Sequence, residues 1–428
     1  MTIHLVDSAP DEDSFLAVAD YAANIINAGQ AKTALAETPG SVFLSEIAVL
    51  LQNQNFDGYL TKMTSQLDLV LSSAESSIKD CECMVNVLVH SVARLPADRV
   101  APACKEVVAT LTSKVDEKGE VRLGGALNIY GALHAHPAAQ RAVLLLCLDY
   151  SRKAPQLARV LAPAVRGKSG EWIKGWALDE PAARELLVAL AQLVKVGTDR
   201  ASVKEYWRLV NHALGMCKEG DVAAVAQLRP LAVAAITDFI RSPTAFQADF
   251  AASPAVRALG ADASAKAVYA LFSAVLSGDL KALKAAATQP ALDAVGLGGQ
   301  GGQDAVASKA RLVALLALCG GKVGGEEVTF AAIQSALEVG PSEVEGWLVR
   351  AIGAKLLEGR IDQVRGVVTV TRATQRTFGA SEWAALAGQL AGWRDSIKGV
   401  RAMLATQAAT SGVAAPASAA PPARPVRA

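Results

Sequence analysis

Three short stretches carry residue types that catalysis, cofactors or metals use. The first, GLGGQG at 296–301, matches G-x-G-x-x-G, the glycine pattern that lets a backbone approach a dinucleotide pyrophosphate. That chemistry needs a strand before the glycines and an acidic residue on the next strand. Helical patterns lie on both sides here, so the stretch reads as a helix–helix linker. The second, His134-Ala135-His136, supplies the first two ligands of an H-x-H-x7-S-x2-D zinc site, but Leu144 stands at the serine position and Cys147 at the aspartate. The third, Cys81-Glu82-Cys83 with His90 beyond, lacks a second ligand pair at zinc-finger spacing. No G-x-S-x-G elbow, Walker loop or H-E-x-x-H occurs, and the 5 histidines form no triad. The expectation is no enzyme, no cofactor, no metal site and no small-molecule substrate.

The elements that would position such residues are helical. The chain has 428 residues, 52% of them hydrophobic and only 5% aromatic, so its apolar content is mainly Ala, Val and Leu. That composition favours closely packed helices over a β-sandwich. The remaining cysteines, Cys104, Cys147, Cys217 and Cys319, are scattered on apolar helical stretches and read as reduced core thiols. No uninterrupted apolar run of membrane-spanning length is present, and the acidic start MTIHLVDSAPDEDSF has no signal-peptide core. Cytosol is the default compartment and no membrane partner is expected.

Residues 1–212 read as a helical-repeat region without a strict period. One helix begins at Pro181 and carries Leu186, Leu187, Leu190, Leu193 and Val194 on one face. Another, over 265–277, places Val268, Leu271, Phe272, Val275 and Leu276 together before a Ser277-Gly278-Asp279 break. Helix, tight turn, helix is the unit of an α-solenoid, and it continues through 213–320. From 321 the pattern changes. A short strand at 328–330, a helix in FAAIQSALEV and a second helix opened by Ser342 and Glu345 in capping-box spacing lead to a hairpin. With Arg365-Gly366 as a two-residue loop, Val364 would pair with Val367 and Ile361 with Val370. Ile361, Val368 and Val370 would then share the inner face. Strand, helix, helix, hairpin over 321–373 is a winged helix. A last helix, 380–406, repeats Trp383, Leu386, Leu390, Trp393, Ile397, Val400 and Leu404 at steps of 3 and 4, a heptad seam that wants a partner helix. The Ala/Pro-rich end, 407–428, is expected to be a disordered tail.

Charge restricts the partners. With 42 basic and 41 acidic residues, no global field draws the chain to nucleic acid. Winged helices often read a major groove through their second helix, but Glu343 and Glu345 balance Arg350 and Lys355 there. The hairpin is more basic, and Arg360, Arg365, Arg372 and Arg376 are its candidates for RNA phosphate contact. A solenoid surface, an open sheet edge and a heptad seam are three interaction devices.

A helical solenoid running into a winged helix resembles the PCI-domain family. The residues that carry the likeness are SAKAVYALFSAVLSGDLKAL, SKARLVALLALC and VTFAAIQSALEVGPSEVEGWLVRAIGAKLLEGRIDQVRGVVTV. The family is shared by the proteasome lid, the COP9 signalosome and eukaryotic translation initiation factor 3. Within it, SPTAFQADF at 242–250 and RTFGASEWAALAGQLAGWRDSIKGVRAML at 376–404 are similar to the initiation factor 3 branch. The resemblance implies a non-catalytic scaffold subunit of that factor. Its partners would be other PCI and MPN subunits and, through the complex, the small ribosomal subunit, with recruitment of initiator tRNA and mRNA. The alternative it implies is a PCI scaffold of the COP9 signalosome or proteasome lid.

Overall fold

Several helices in this chain start where a short polar side chain accepts from free amides. Ser77 accepts from the Asp80 amide, Asp179 from Ala182, Asp199 from Ser202 and Asp279 from Lys281 and Ala282. Proline stands in the first turn of the helix behind Asp179 and of several other helices, where a missing N–H costs nothing. The helix expected to begin at Pro181 therefore starts at Glu180, behind its Asp179 cap.

A computed structural model describes residues 12–28, 38–115, 117–320, 326–377 and 379–411. The chain divides into two compact units, Met1–Ala235 with Ser253–Ala258, and Ile236–Ala252 with Leu259–Ala428. The first unit holds α1 Glu12–Ala28, α2 Pro39–Gln52, α3 Phe56–Ser72, α4 Ile78–Val92, α5 Ala97–Leu111, α6 Gly119–Ala132 and α7 Pro137–Arg152. It continues with α8 Pro155–Val165, α9 Ser169–Gly175, α10 Glu180–Val194 and α11 Arg200–Gly215. Helix α12, Val222–Arg241, carries the chain across the division, and α13 is the single turn Pro254–Arg257. By length and composition α12 could cross a membrane, yet Ala224, Leu228, Leu231, Ala232, Ala235, Ile236, Phe239 and Ile240 are all buried in the protein. It is a core helix.

The first unit has a repeat that the sequence hides. Helix α3 lies beside α5, α5 beside α7, α7 beside α10, and α4 beside α6. Polar links join helices of the array at a recurring separation along the chain. Arg99 binds Asp57, Asn128 donates to Asn86 and the Trp172 indole donates to the Tyr130 hydroxyl, each across 42 residues. Arg184 reaches Gln227 across 43 residues, and the Gly167 amide reaches Glu205 across 38.

Arg122 on α6 is the most enclosed of these groups. Its guanidinium is fully buried, 2.7 Å from Asp68 Oδ1 on α3, and also donates to the carbonyls of Glu117, Thr110 and Leu111. Burial pushes the Asp68 carboxyl up, but hydrogen bonds and charge from Arg122 and Lys114 outweigh it and hold the group below its ordinary value. Because the folded carboxyl is the stronger acid, the pair's contribution is complete above about pH 4 and is lost as pH falls through the folded value. Arg122→Met should cost about 2–3 kcal/mol in a denaturant melt at pH 7, since it removes the buried donor to Asp68, leaving that carboxylate to Lys114 alone, and takes a donor from the Glu117 and Leu111 carbonyls. The same variant should lose less additional stability than the unmodified chain between pH 5 and pH 3.

The second unit holds α14 Lys266–Ser277, α15 Leu280–Ala286, α16 Gln289–Val295 and α17 Gly302–Gly320. These are followed by β1 Glu326–Thr329, α18 Phe330–Leu337, α19 Val344–Gly353, β2 Leu357–Asp362, β3 Val367–Ala373 and α20 Ala380–Ser411. The sheet order is β1-β3-β2, all antiparallel, with β3 in the middle. Thr329 ends the strand and caps α18, so Phe330 belongs to the helix rather than to the strand. Helix α19 is entered through a 3-10 turn, Pro341–Glu343, with no side-chain cap. The expected Ser342/Glu345 capping box does not form, and Glu345 instead accepts from Gln363 on the wing. Helix α20 runs to Ser411, past its expected end near 406, which takes 407–411 out of the expected tail. The rest of that tail, 412–428, lies outside the described residues.

Candidate functional site

The wing is built around a bulge and a four-residue turn. Gly359 sits at the bulge, where a Cβ would lie 2.4 Å from the Thr369 carbonyl oxygen. Residues 363–366 form the turn, held by the Asp362 carboxylate accepting from the Arg365 amide and closed by Gly366 at φ +64°. The pairing is consequently Ile361 with Val368 and Asp362 with Val367, not Ile361 with Val370, and Val364 is 99% exposed at the tip rather than paired. The two-residue reading failed because Asp362 competes for the turn with its own side chain. Val368 and Val370 are fully buried in a core with Leu348, Ile333 and Leu316, and Ile361 packs at its margin.

The four hairpin arginines go to different places. Arg365 forms a two-pronged ion pair with Glu327 of β1, both N–O distances 2.8 Å. Arg372 lies 3.4 Å from Glu358 on β2. Arg376 is half-buried and donates to the Leu276 and Ser277 carbonyls at the end of α14, at 2.9 and 3.1 Å. Arg360 is exposed, and among the described residues no ion pair holds it.

The heptad residues lie along a helix turned to water. Trp383, Leu390, Trp393, Ile397, Val400 and Leu404 are between 52% and 68% exposed, and Leu386 is half-buried. The helix is set off by Gly379, whose amide donates to Glu382 at 2.8 Å, one half of a capping box. Such a continuous apolar stripe on a 32-residue helix is rare on a finished protein surface.

A fourth feature escaped sequence reading. Lys309 of α17 is 4% exposed. Its ammonium donates to the carbonyls of Phe239 and Ser242, the last of these at 2.7 Å, and stands 4.0 Å from the Phe239 ring centre. Burial pushes it down from 10.5 to about 7. The only signal was a cation on the apolar face of SKARLVALLALC, between Val306 and Leu312 or Val313.

Comparison with known proteins bears on these elements one by one. The PCI domain family matches residues 309–372, and the family described as the C-terminal helix of eIF3 subunit M matches 376–402. Subunit M of eukaryotic translation initiation factor 3 from Aspergillus terreus is 29% identical over 350 residues, covering 80% of this chain and 74% of that protein. The same subunit from Neosartorya fischeri is 25% identical over 413 residues, covering 92% and 85%. Over most of its length this chain is similar to subunit M of initiation factor 3, and its residues 309–372 match the PCI domain family. The PCI match begins at the buried Lys309 and ends within β3, and the helix match begins at Arg376 and spans six of the seven seam residues. The matched descriptions name a domain and a translation factor subunit, neither of them an enzyme.

Lys309→Met keeps the length of the side chain and removes its donors. The second unit should lose about 2–3 kcal/mol in a thermal or denaturant melt, because the Phe239 and Ser242 carbonyls lose their buried donor.

Proposed function

We propose that this chain is a non-catalytic scaffold subunit of translation initiation factor 3, acting in the cytoplasm. It supports binding of the factor to the small ribosomal subunit and recruitment of initiator tRNA and mRNA. The observation that carries this reading is the exposed seam of α20, lying in the segment that matches the subunit M helix. In this role α20 enters a helical bundle with other PCI and MPN subunits, and the outer edges of β1 and β2 offer unpaired backbone to a neighbouring PCI sheet. Each Leu or Ile buried in such a bundle contributes about 1.5–3 kcal/mol.

Leu390→Asp with Ile397→Asp should therefore weaken incorporation into reconstituted initiation factor 3 by more than about a hundredfold. Both residues face water in the free chain, so its melting temperature should stay within a few degrees. Normal incorporation of the double variant would remove the bundle role.

RNA contact through the wing is a second reading, favoured by the exposed Arg360. Arg365 and Arg372 already face carboxylates, and exposed pairs of this kind, screened by solvent, hold an arginine only weakly, so both can be released to phosphate. Neutralising Arg360, Arg365 and Arg372 to Gln should lower RNA crosslinking of the assembled complex severalfold on this reading. Unchanged crosslinks would make the wing purely structural.

A further inference from the structure

The stretch 242–250 and residues 376–377 are 126 or more positions apart in the sequence, and the fold brings them together. The Ala248 amide donates to the Arg376 carbonyl at 2.8 Å, while the Arg376 side chain crosses to the end of α14. On the other side, Phe246 is buried in the winged-helix core with Val313, Leu316 and Val368. Phe250 stacks on Phe272 of α14 with ring centres 5.8 Å apart, and Lys309 holds the Ser242 carbonyl from beneath. The stretch is thus pinned at three places by groups from α14, α17 and the wing core, and its free backbone donor is given to the last residues before α20.

We propose that the strap 242–250 and Arg376 form a latch that fixes the root of α20, so that its seam leaves the PCI domain in one direction. Arg376 is the positioning residue of this latch: its side chain holds α14 and its carbonyl holds the strap. Only Thr377, Phe378 and Gly379 separate it from the helix start. So short a tether keeps the root of α20 within about 10 Å of an anchor held at both backbone and side chain. The inference deepens the scaffold role, since a seam held in one direction needs less ordering when a partner helix docks.

The test uses the free, full-length chain, so its outcome does not depend on whether a partner binds. With Cys83→Ser removing the exposed thiol, spin labels at Ala270→Cys on α14 and Lys398→Cys on α20 report the distance between the two helices. The latched chain gives one narrow distance distribution. Arg376→Ala should broaden it at least twofold with helix content unchanged, and Arg376→Lys, which can still reach the α14 carbonyls, should restore the narrow peak. A broad distribution in the parent, or a narrow one in Arg376→Ala, overturns the latch. Amide exchange in the parent gives a second reading that requires no variant at Arg376. Ala248 should exchange at the slow rate of the neighbouring helix interiors, and exchange at the rate of an unprotected amide overturns the proposal. Failure of partner docking with an intact latch would count against the scaffold role alone.

Discussion

Helices end on carbonyl groups that nothing inside the helix can satisfy, and this fold depends on cationic side chains from elsewhere in the chain to satisfy them. Arg122 reaches the end of α5, Arg241 the end of α16, Lys309 the end of α12, Arg311 the end of α18 and Arg376 the end of α14. Each bond does two things. It neutralises the negative end of a helix dipole, and it ties that end to a different element, so the short helices of an Ala-rich chain gain fixed neighbours. Apolar burial alone would not do this, because Ala, Val and Leu surfaces can slide past one another without losing much contact.

This accounts for what could be read in the sequence and what could not. Helices, their apolar faces and the winged-helix order follow from periodicity, which burial must respect, and the structure places Val368 and Val370 in the core as that periodicity requires. The repeat of the first unit left no visible motif because its polar links, although each spans 42 residues, use different pairs, Arg–Asp, then Asn–Asn, then Trp–Tyr. Lys309 is the clearest omission. A lysine among leucines usually lies at a helix margin with its head in water, and only the distant Phe239 and Ser242 carbonyls make burial tolerable. The wing register was missed for a local reason, the Asp362 side chain entering its own turn.

The hairpin arginines show the same economy of charge. Four cations in and just after one hairpin suggest a phosphate surface, yet three of them face carboxylates or helix-end carbonyls within the chain. Apolar residues, by contrast, are left uncovered along α20. In the proposed scaffold role, this uncovered heptad stripe, within the segment that matches the subunit M helix over 376–402, is the surface that packs on a partner helix.

The account stands most directly on the company the chain keeps. Native mass spectrometry of the endogenous assembly, purified through a tag on this chain, reads that company as masses. The scaffold role predicts complexes containing initiation factor 3 subunits, with small ribosomal subunits joining at low salt. Assemblies made of signalosome or proteasome lid subunits, with initiation factor 3 absent, would contradict it.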